Sequence, residues 1–125
     1  MHQSSLSANG IAFHLIEAGA GPTILLLHGF PEFGYAWRRQ LPALASAGFR
    51  AIAPDLRGYN LTDRPSGVGE YRIEILIDDV AGIIRTIGEG EVVLVGHDWG
   101  GVIAWYLAMQ HPELIRRLII MNAPH

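Results

Sequence analysis

The chain has 125 residues, half of them hydrophobic, and a formal net charge of −3, which suits one domain with a real core. With no basic run and no aromatic-basic stripe, it argues against nucleic acid as a partner, and the absence of cysteine excludes disulfides and thiolate metal sites. The opening Met1–Ser7 lacks the charged start and apolar stretch of a secretory signal. No apolar run approaches the roughly 20 residues of a membrane span, so the expectation is a cytoplasmic protein without membrane contact.

Asn9-Gly10, a strong hairpin signal, joins residues 3–8 to residues 11–18, read as two antiparallel strands. Gly19-Ala20-Gly21-Pro22 predicts a turn, and Thr23–Leu27 a buried strand ending in His28-Gly29-Phe30-Pro31-Glu32. A helix is predicted from about Tyr35 to Ala47, with Pro42 as a kink or restart and Gly48 as its stop. Phe49–Ala53 is the next strand, and the loop from Pro54 to Gly69 is long enough to suggest function. Over residues 72–87, Ile73, Leu76, Ile77, Val80, Ile83, Ile84 and Ile87 recur at helical spacing, with Glu74, Asp78, Asp79 and Arg85 off that face. Val92–Val95 predicts a buried strand, Val102–Met109 a helix ended by His111-Pro112-Glu113, and Leu114–Met121 a last buried strand before the tail Asn122-Ala123-Pro124-His125.

A hairpin followed by alternating strands and helices predicts an α/β fold, about six strands, mostly parallel after an antiparallel start, with helices on both faces. Such sheets bind ligands at the carboxyl ends of their strands, where His28-Gly29-Phe30-Pro31, Asp55-Leu56-Arg57-Gly58 and Asp98-Trp99 would converge. A dinucleotide site is not supported, because Gly19/Gly21, Gly67/Gly69 and Gly88/Gly90 each lack the third glycine of G-x-G-x-x-G.

Between the predicted central strand and its helix stand Gly96-His97-Asp98-Trp99-Gly100-Gly101. Strand, tight turn and helix, with small residues two positions either side of an acid, fit the small-x-nucleophile-x-small pattern of a nucleophile elbow, with Asp98 in the nucleophile's place. A side chain at Gly96 or Gly100 would collide across so sharp a turn, and the adjoining helix N-terminus favours the Asp98 carboxylate. Asp is also a favoured N-cap, so a plain helix cap is the competing reading.

These three loops, in this order, resemble the epoxide hydrolases of the α/β-hydrolase superfamily. The resemblance implies that Asp98 attacks an sp³ carbon and forms an alkyl-enzyme ester. It also implies that the backbone N–H groups of Phe30 and Trp99 form an oxyanion hole for the ester's hydrolysis. The substrate would be a small apolar epoxide in a pocket near His28, Gly29, Pro31 and His97, with no cofactor and no metal. The Phe30-Pro31 bond corresponds to one that is often cis in the family. Haloalkane dehalogenases similar to this sequence usually carry Asn where Phe30 stands, and fluoroacetate dehalogenases Arg where Trp99 stands, so epoxide opening is the better match, with dehalogenase chemistry as the alternative.

Among the remaining residues, His28 and His97 read as hydrogen-bonded scaffold histidines and His14 as a strand surface residue. Asp55 and Arg57 are expected to pair with each other or to cap the long loop. Trp37, Trp105 and Tyr106 fit core packing, with Trp37 near enough to brush the pocket. The histidines have no metal-site spacing.

In the family the fold continues with a helical cap, further strands, an acid and a catalytic histidine. Residues 1–125 are therefore expected to hold one truncated hydrolase core without cap or C-terminal strands. Neither the terminal His125 nor His97 is a convincing surrogate, so little or no turnover is expected. The edge of strand 115–121 is expected to pair with a second copy as a homodimer or higher oligomer. A non-catalytic, self-assembling fold fragment is the alternative class of function.

Overall fold

A computed structural model describes residues 1–121, so the tail Asn122-Ala123-Pro124-His125 lies outside the described residues. Asn9 and Gly10 both take positive φ, 51° and 73°, as a type I′ turn requires. They join β1 (His2–Ala8) to β2 (Ile11–Ala18) in antiparallel register, with Ala8 opposite Ile11. The sheet has six strands in the order β1-β2-β4-β3-β5-β6, formed with β3 (Thr23–Leu27), β4 (Arg50–Pro54), β5 (Val92–His97) and β6 (Ile115–Met121). β2 pairs with β4 antiparallel, and the β4/β3, β3/β5 and β5/β6 pairs are parallel.

Side chains alternate across the central strands, and each face buries a separate core. Leu25, Leu27, Ile52 and Leu94 meet one helical layer, α2 (Ile73–Ile87) and α3 (Trp99–Gln110). Ile24, Leu26, Ala53 and Val95 meet Trp37 and Leu41, the latter on α1 (Gln40–Ser46). This is the expected α/β architecture with helices on both faces. Within α2, Ile77, Val80, Ile83 and Ile84 are fully buried, and each such side chain contributes about 1.5–3 kcal/mol relative to exposure. Gly88 ends α2 with a left-handed φ of 76°.

The predicted helix over Tyr35–Ala47 is two pieces, a 3₁₀ turn at Gly34–Trp37 and then α1. Pro42 lies in the first turn of α1, where its missing N–H leaves no hydrogen bond unmade, so it marks a restart. Gly48, at φ 95°, ends α1: Phe49 N–H bonds Leu44 O and Gly48 N–H bonds Ala45 O, both at 3.1 Å. These bonds commit Phe49 to the helix end, and β4 starts one residue later than predicted. α3 starts at Trp99, three residues before the predicted Val102.

Three burial expectations are overturned here. Trp105 and Tyr106 are exposed, and the core face of α3 is Ile103, Ala104 and Leu107; this helix is apolar around its circumference, so its pattern names no inner face. Asp79, placed off the apolar face of α2, is buried because it meets a buried arginine described below. The last strand, expected to be buried, is an edge strand of the sheet with no buried residue, because one side of β6 has no strand beside it among the described residues; Ile119 and Met121 are exposed. Among the described residues no helix is long and apolar enough to cross a membrane.

Candidate functional site

The carboxyl ends of β3 and β5 lie side by side, with Leu27 opposite Gly96, and three glycines let the following turns interlock. A Cβ on Gly96 would stand 2.4 Å from Gly100 O, and one on Gly100 would stand 2.5 Å from both Leu27 O and His28 O. A Cβ on Gly29 would meet Asp98 Cβ at 2.5 Å. The close approach of three backbone segments is what brings Phe30 to Asp98.

Asp98 itself occupies strained backbone, φ 57° and ψ −123°, a conformation that costs a non-glycine residue about 1–3 kcal/mol and clusters at functional sites. Its carbonyl starts α3, accepting from Gly101 N–H at 2.9 Å and Val102 N–H at 3.2 Å, but its side chain makes no N-cap hydrogen bond. Instead Oδ2 accepts the Phe30 N–H at 3.1 Å. Hydrogen bonds from the Trp99 and Phe30 amides, in that order, hold the carboxyl below its ordinary range, helped by the charge of His97. The backbone position is a cap; the carboxylate is turned away from that role.

Beside Asp98 opens a cavity of about 430 Å³, with His28, Gly29, Phe30 and Trp99 on the Asp98 side. Leu56, Ile73, Leu76 and Ile103 supply apolar wall, and Tyr59 and Tyr71 line it as well. Pro31 and His97, expected near the substrate, are not among its lining residues, nor is Asp98 itself, which adjoins the cavity through Gly29, Phe30 and Trp99. His97 turns to the opposite side of the turn, its Nδ1 3.4 Å from Glu32 Oε1 and its ring edge-on to Trp37. Phe30-Pro31 is a cis peptide.

His28 is the scaffold histidine the sequence suggests. Nδ1–H donates to Gly29 O at 2.9 Å, and Nε2 accepts the Leu56 N–H at 3.0 Å. Burial pushes its pKa down, which keeps the ring neutral and able to do both. It fixes the β3 turn to the loop after β4.

Asp55 and Arg57 do not pair with each other. Asp55, fully buried, accepts the Gly34 N–H at 2.8 Å and the Asn60 Nδ2–H at 2.9 Å, and its Oδ2 lies 2.7 Å from His14 Nδ1. His14 is therefore a partner of this buried acid, with Nε2 2.8 Å from Gln3 Oε1, and not a plain surface residue. Arg57 donates to Asp79 through Nε at 2.7 Å and Nη2 at 2.8 Å, and through Nη1 to Glu70 O and Oε1, each at 3.2 Å. The backbone turns between the two side chains, where Tyr59 N–H bonds Leu56 O. Both residues do brace the long loop, as expected.

Sequence reasoning missed Tyr59, Tyr71, Ile73, Leu76 and Ile103 as lining residues. The length of the 54–69 loop was the available signal for the first, whereas an apolar stripe on α2 or α3 cannot say which of its members faces a cavity. Among the described residues no group of three or more acidic or histidine side chains is arranged to hold a metal.

Comparison with known proteins agrees with the fold. The AB hydrolase superfamily protein YfhM of Bacillus subtilis (strain 168) is 50% identical over 122 residues, covering 96% of this chain and 43% of its own length. Epoxide hydrolase 3 of Xenopus tropicalis is 48% identical over 119 residues, 94% of this chain and 32% of its own. The crystal structure of an epoxide hydrolase from Vigna radiata superposes with a TM-score of 0.97 at 44% identity, over 99% of this chain and 40% of that one. The chain thus spans well under half the length of these relatives. A family model described as the alpha/beta hydrolase fold matches residues 22–125, and with most of its length so matched the chain belongs to that family.

Proposed function

We propose that Asp98 is the nucleophile of an epoxide-opening reaction, carried out in the cavity between the Phe30 and Trp99 turn and the wall of α2. The observation that carries the reading is the Asp98 carboxylate itself, held on strained backbone at a strand-to-helix corner and bonded by the Phe30 amide at 3.1 Å. An ionised carboxylate attacks an epoxide carbon in line, the C–O bond opposite breaks, and an alkyl ester forms on Asp98. Oδ2, which accepts the Phe30 amide, would stay behind as the ester carbonyl. When water attacks that carbonyl, the same donor faces the developing oxyanion, and such a donor is worth about 3 kcal/mol of barrier.

The hydrolytic half needs a base, and the histidines near the turn are committed elsewhere, His28 through both ring nitrogens and His97 toward Glu32. The residues described here therefore support ester formation, with little or no turnover by the 125-residue chain on its own. An epoxide is favoured over an alkyl halide because Phe30 has no side-chain donor for a departing halide, and because two of the three relatives above are named epoxide hydrolases. Exposure to excess styrene oxide followed by intact mass spectrometry tests this. One adduct per chain, mapping to Asp98 and missing from Asp98→Ala, is expected; folded protein without an adduct refutes the nucleophile, and repeated diol release refutes the stalled ester.

A further inference from the structure

The turn after β3 carries the Phe30 N–H that meets Asp98, yet little of that turn is packed. Phe30, Pro31 and Phe33 are exposed and Glu32 is half-buried, so burial fixes only the two ends, Gly29 and Gly34. Gly29 is wedged against Asp98, where a Cβ would stand 2.5 Å from Asp98 Cβ. Gly34 is pressed onto the end of β4, where a Cβ would stand 2.6 Å from Ala53 O. Its N–H donates to Asp55 Oδ1 at 2.8 Å, and the bond from Glu32 N–H to Gly29 O at 2.9 Å closes the turn between. A short exposed segment held at its ends shifts in the middle when one end is released. The amide facing Asp98 therefore depends on the hold that Asp55 has on Gly34.

Asp55 is itself held from several directions. Its Oδ2 meets His14 Nδ1 at 2.7 Å, Asn60 Nδ2–H at 2.9 Å and Leu61 N–H at 3.4 Å. A carboxylate accepts on both oxygens and donates nothing, so His14 presents Nδ1–H to it. His14 comes from β2 and is backed by Gln3 of β1, with Nε2 2.8 Å from Oε1. The Asp55 backbone is fixed as well, its N–H donating to His14 O at 2.9 Å and its O accepting the Thr62 hydroxyl at 2.6 Å. One fully buried carboxylate thus ties the antiparallel start of the sheet and the long loop to the far end of the Phe30 turn. Buried polar networks whose members are all satisfied give rigidity of this kind.

We propose that Asp55 is the positioning residue for the Phe30 donor, an inference that rests on the reading of Asp98 as nucleophile. It acts through Gly34 and bonds to neither Phe30 nor Asp98. Hydroxylamine reads the donor, because it attacks an ester carbonyl without help from a protein base. Chains alkylated by styrene oxide are desalted, treated with hydroxylamine and timed by peptide mass mapping. Nitrogen bonds to the Asp98 carbonyl carbon and the carbonyl electron pair moves to Oδ2. Collapse then expels the ester oxygen, which takes the proton that nitrogen loses, leaving a hydroxamate on Asp98 and a free diol. In Asp55→Ala the rate is expected to fall at least tenfold, toward the roughly 100-fold that follows loss of an oxyanion donor. Glu17 is also a buried acid of β2, bonded to Ser4 and Arg50, and Glu17→Ala should change the rate less than about twofold. Hydrogen exchange tests the same point without an adduct: the Phe30 N–H should exchange about tenfold faster in Asp55→Ala, with Leu107 of α3 unchanged. A hydroxylamine rate equal to wild type in Asp55→Ala, an equal loss in Glu17→Ala, or parallel exchange changes at Phe30 and Leu107 overturn the proposal. If Asp55→Ala does not fold, a backbone ester in place of the Gly34 amide, which deletes that N–H alone, decides: the same loss is expected, and a wild-type rate overturns it. A wild type that takes no styrene oxide adduct at Asp98 overturns the nucleophile reading instead, while hydrogen exchange still judges Asp55.

Discussion

Asp79→Ala isolates the buried ion pair that anchors the cavity's outer wall. The Arg57 and Asp79 side chains are 4% and 2% exposed, joined at 2.7 Å, and Asp79 Oδ1 also accepts the Asn9 Nδ2–H of the hairpin turn at 2.8 Å. Removing the carboxylate leaves a guanidinium that cannot lose its charge, 4% exposed and with only Glu70, itself 47% exposed, still beside it. Breaking such a pair from one side costs about 3–5 kcal/mol, a large part of the roughly 5–15 kcal/mol that holds a domain folded. With a urea m-value of about 2 kcal/mol/M, the unfolding midpoint should drop by about 2 M at unchanged slope. The assay is urea titration followed by tryptophan fluorescence. The double variant Arg57→Met/Asp79→Leu should recover most of the loss, because it removes both charges and their desolvation together. A loss below about 1 kcal/mol in Asp79→Ala, the scale of an exposed pair, would refute the argument: the guanidinium would then have to be solvated.

The interlocked turns make a second expectation. Gly100→Ala places a Cβ 2.5 Å from two backbone carbonyl oxygens, whereas Gly69→Ala meets nothing within 4 Å. Thermal denaturation should show the first destabilised by about 1–3 kcal/mol and the second within about 0.5 kcal/mol of wild type; equal effects would contradict the packing. A third expectation concerns pH. Because the Trp99 and Phe30 amides depress the Asp98 carboxyl below 3.8, its contribution to stability is present above that value and is lost only as pH falls through the lower folded pKa. The rate of Asp98 ester formation, followed by mass spectrometry on folded protein, should likewise hold steady as pH falls toward 3.8 and decline below it. A midpoint above 3.8 would contradict the two-amide cradle.

Much of the fold is legible in local chemistry. Asn9-Gly10 can close a hairpin because both positions accept positive φ. The run Thr23–Leu27 is apolar at every position because both faces of β3 are covered. The α2 stripe and its closing Gly88 report a helix lying on one core. The corner at Asp98 is legible too, since Gly96 and Gly100 flank it at the spacing a tight turn requires.

What escaped the sequence is direction and partnership. Asp55 and Arg57 are two residues apart and of opposite charge, yet each answers to a residue brought by the fold, His14 across the sheet and Asp79 on α2. α3 carries apolar residues on every side, so only its docking on the sheet decides that Leu107 is buried and Trp105 is not. An acid at a helix start is a cap or a nucleophile by local rules alone. The β3 turn, packed through Gly29 and Gly100, sets the Phe30 amide against Asp98 and so turns its carboxylate outward. Local propensities act over a few residues and chose the elements. Which side chains meet was decided by contacts between residues far apart in the chain, which only close packing of the sheet and its helices can impose.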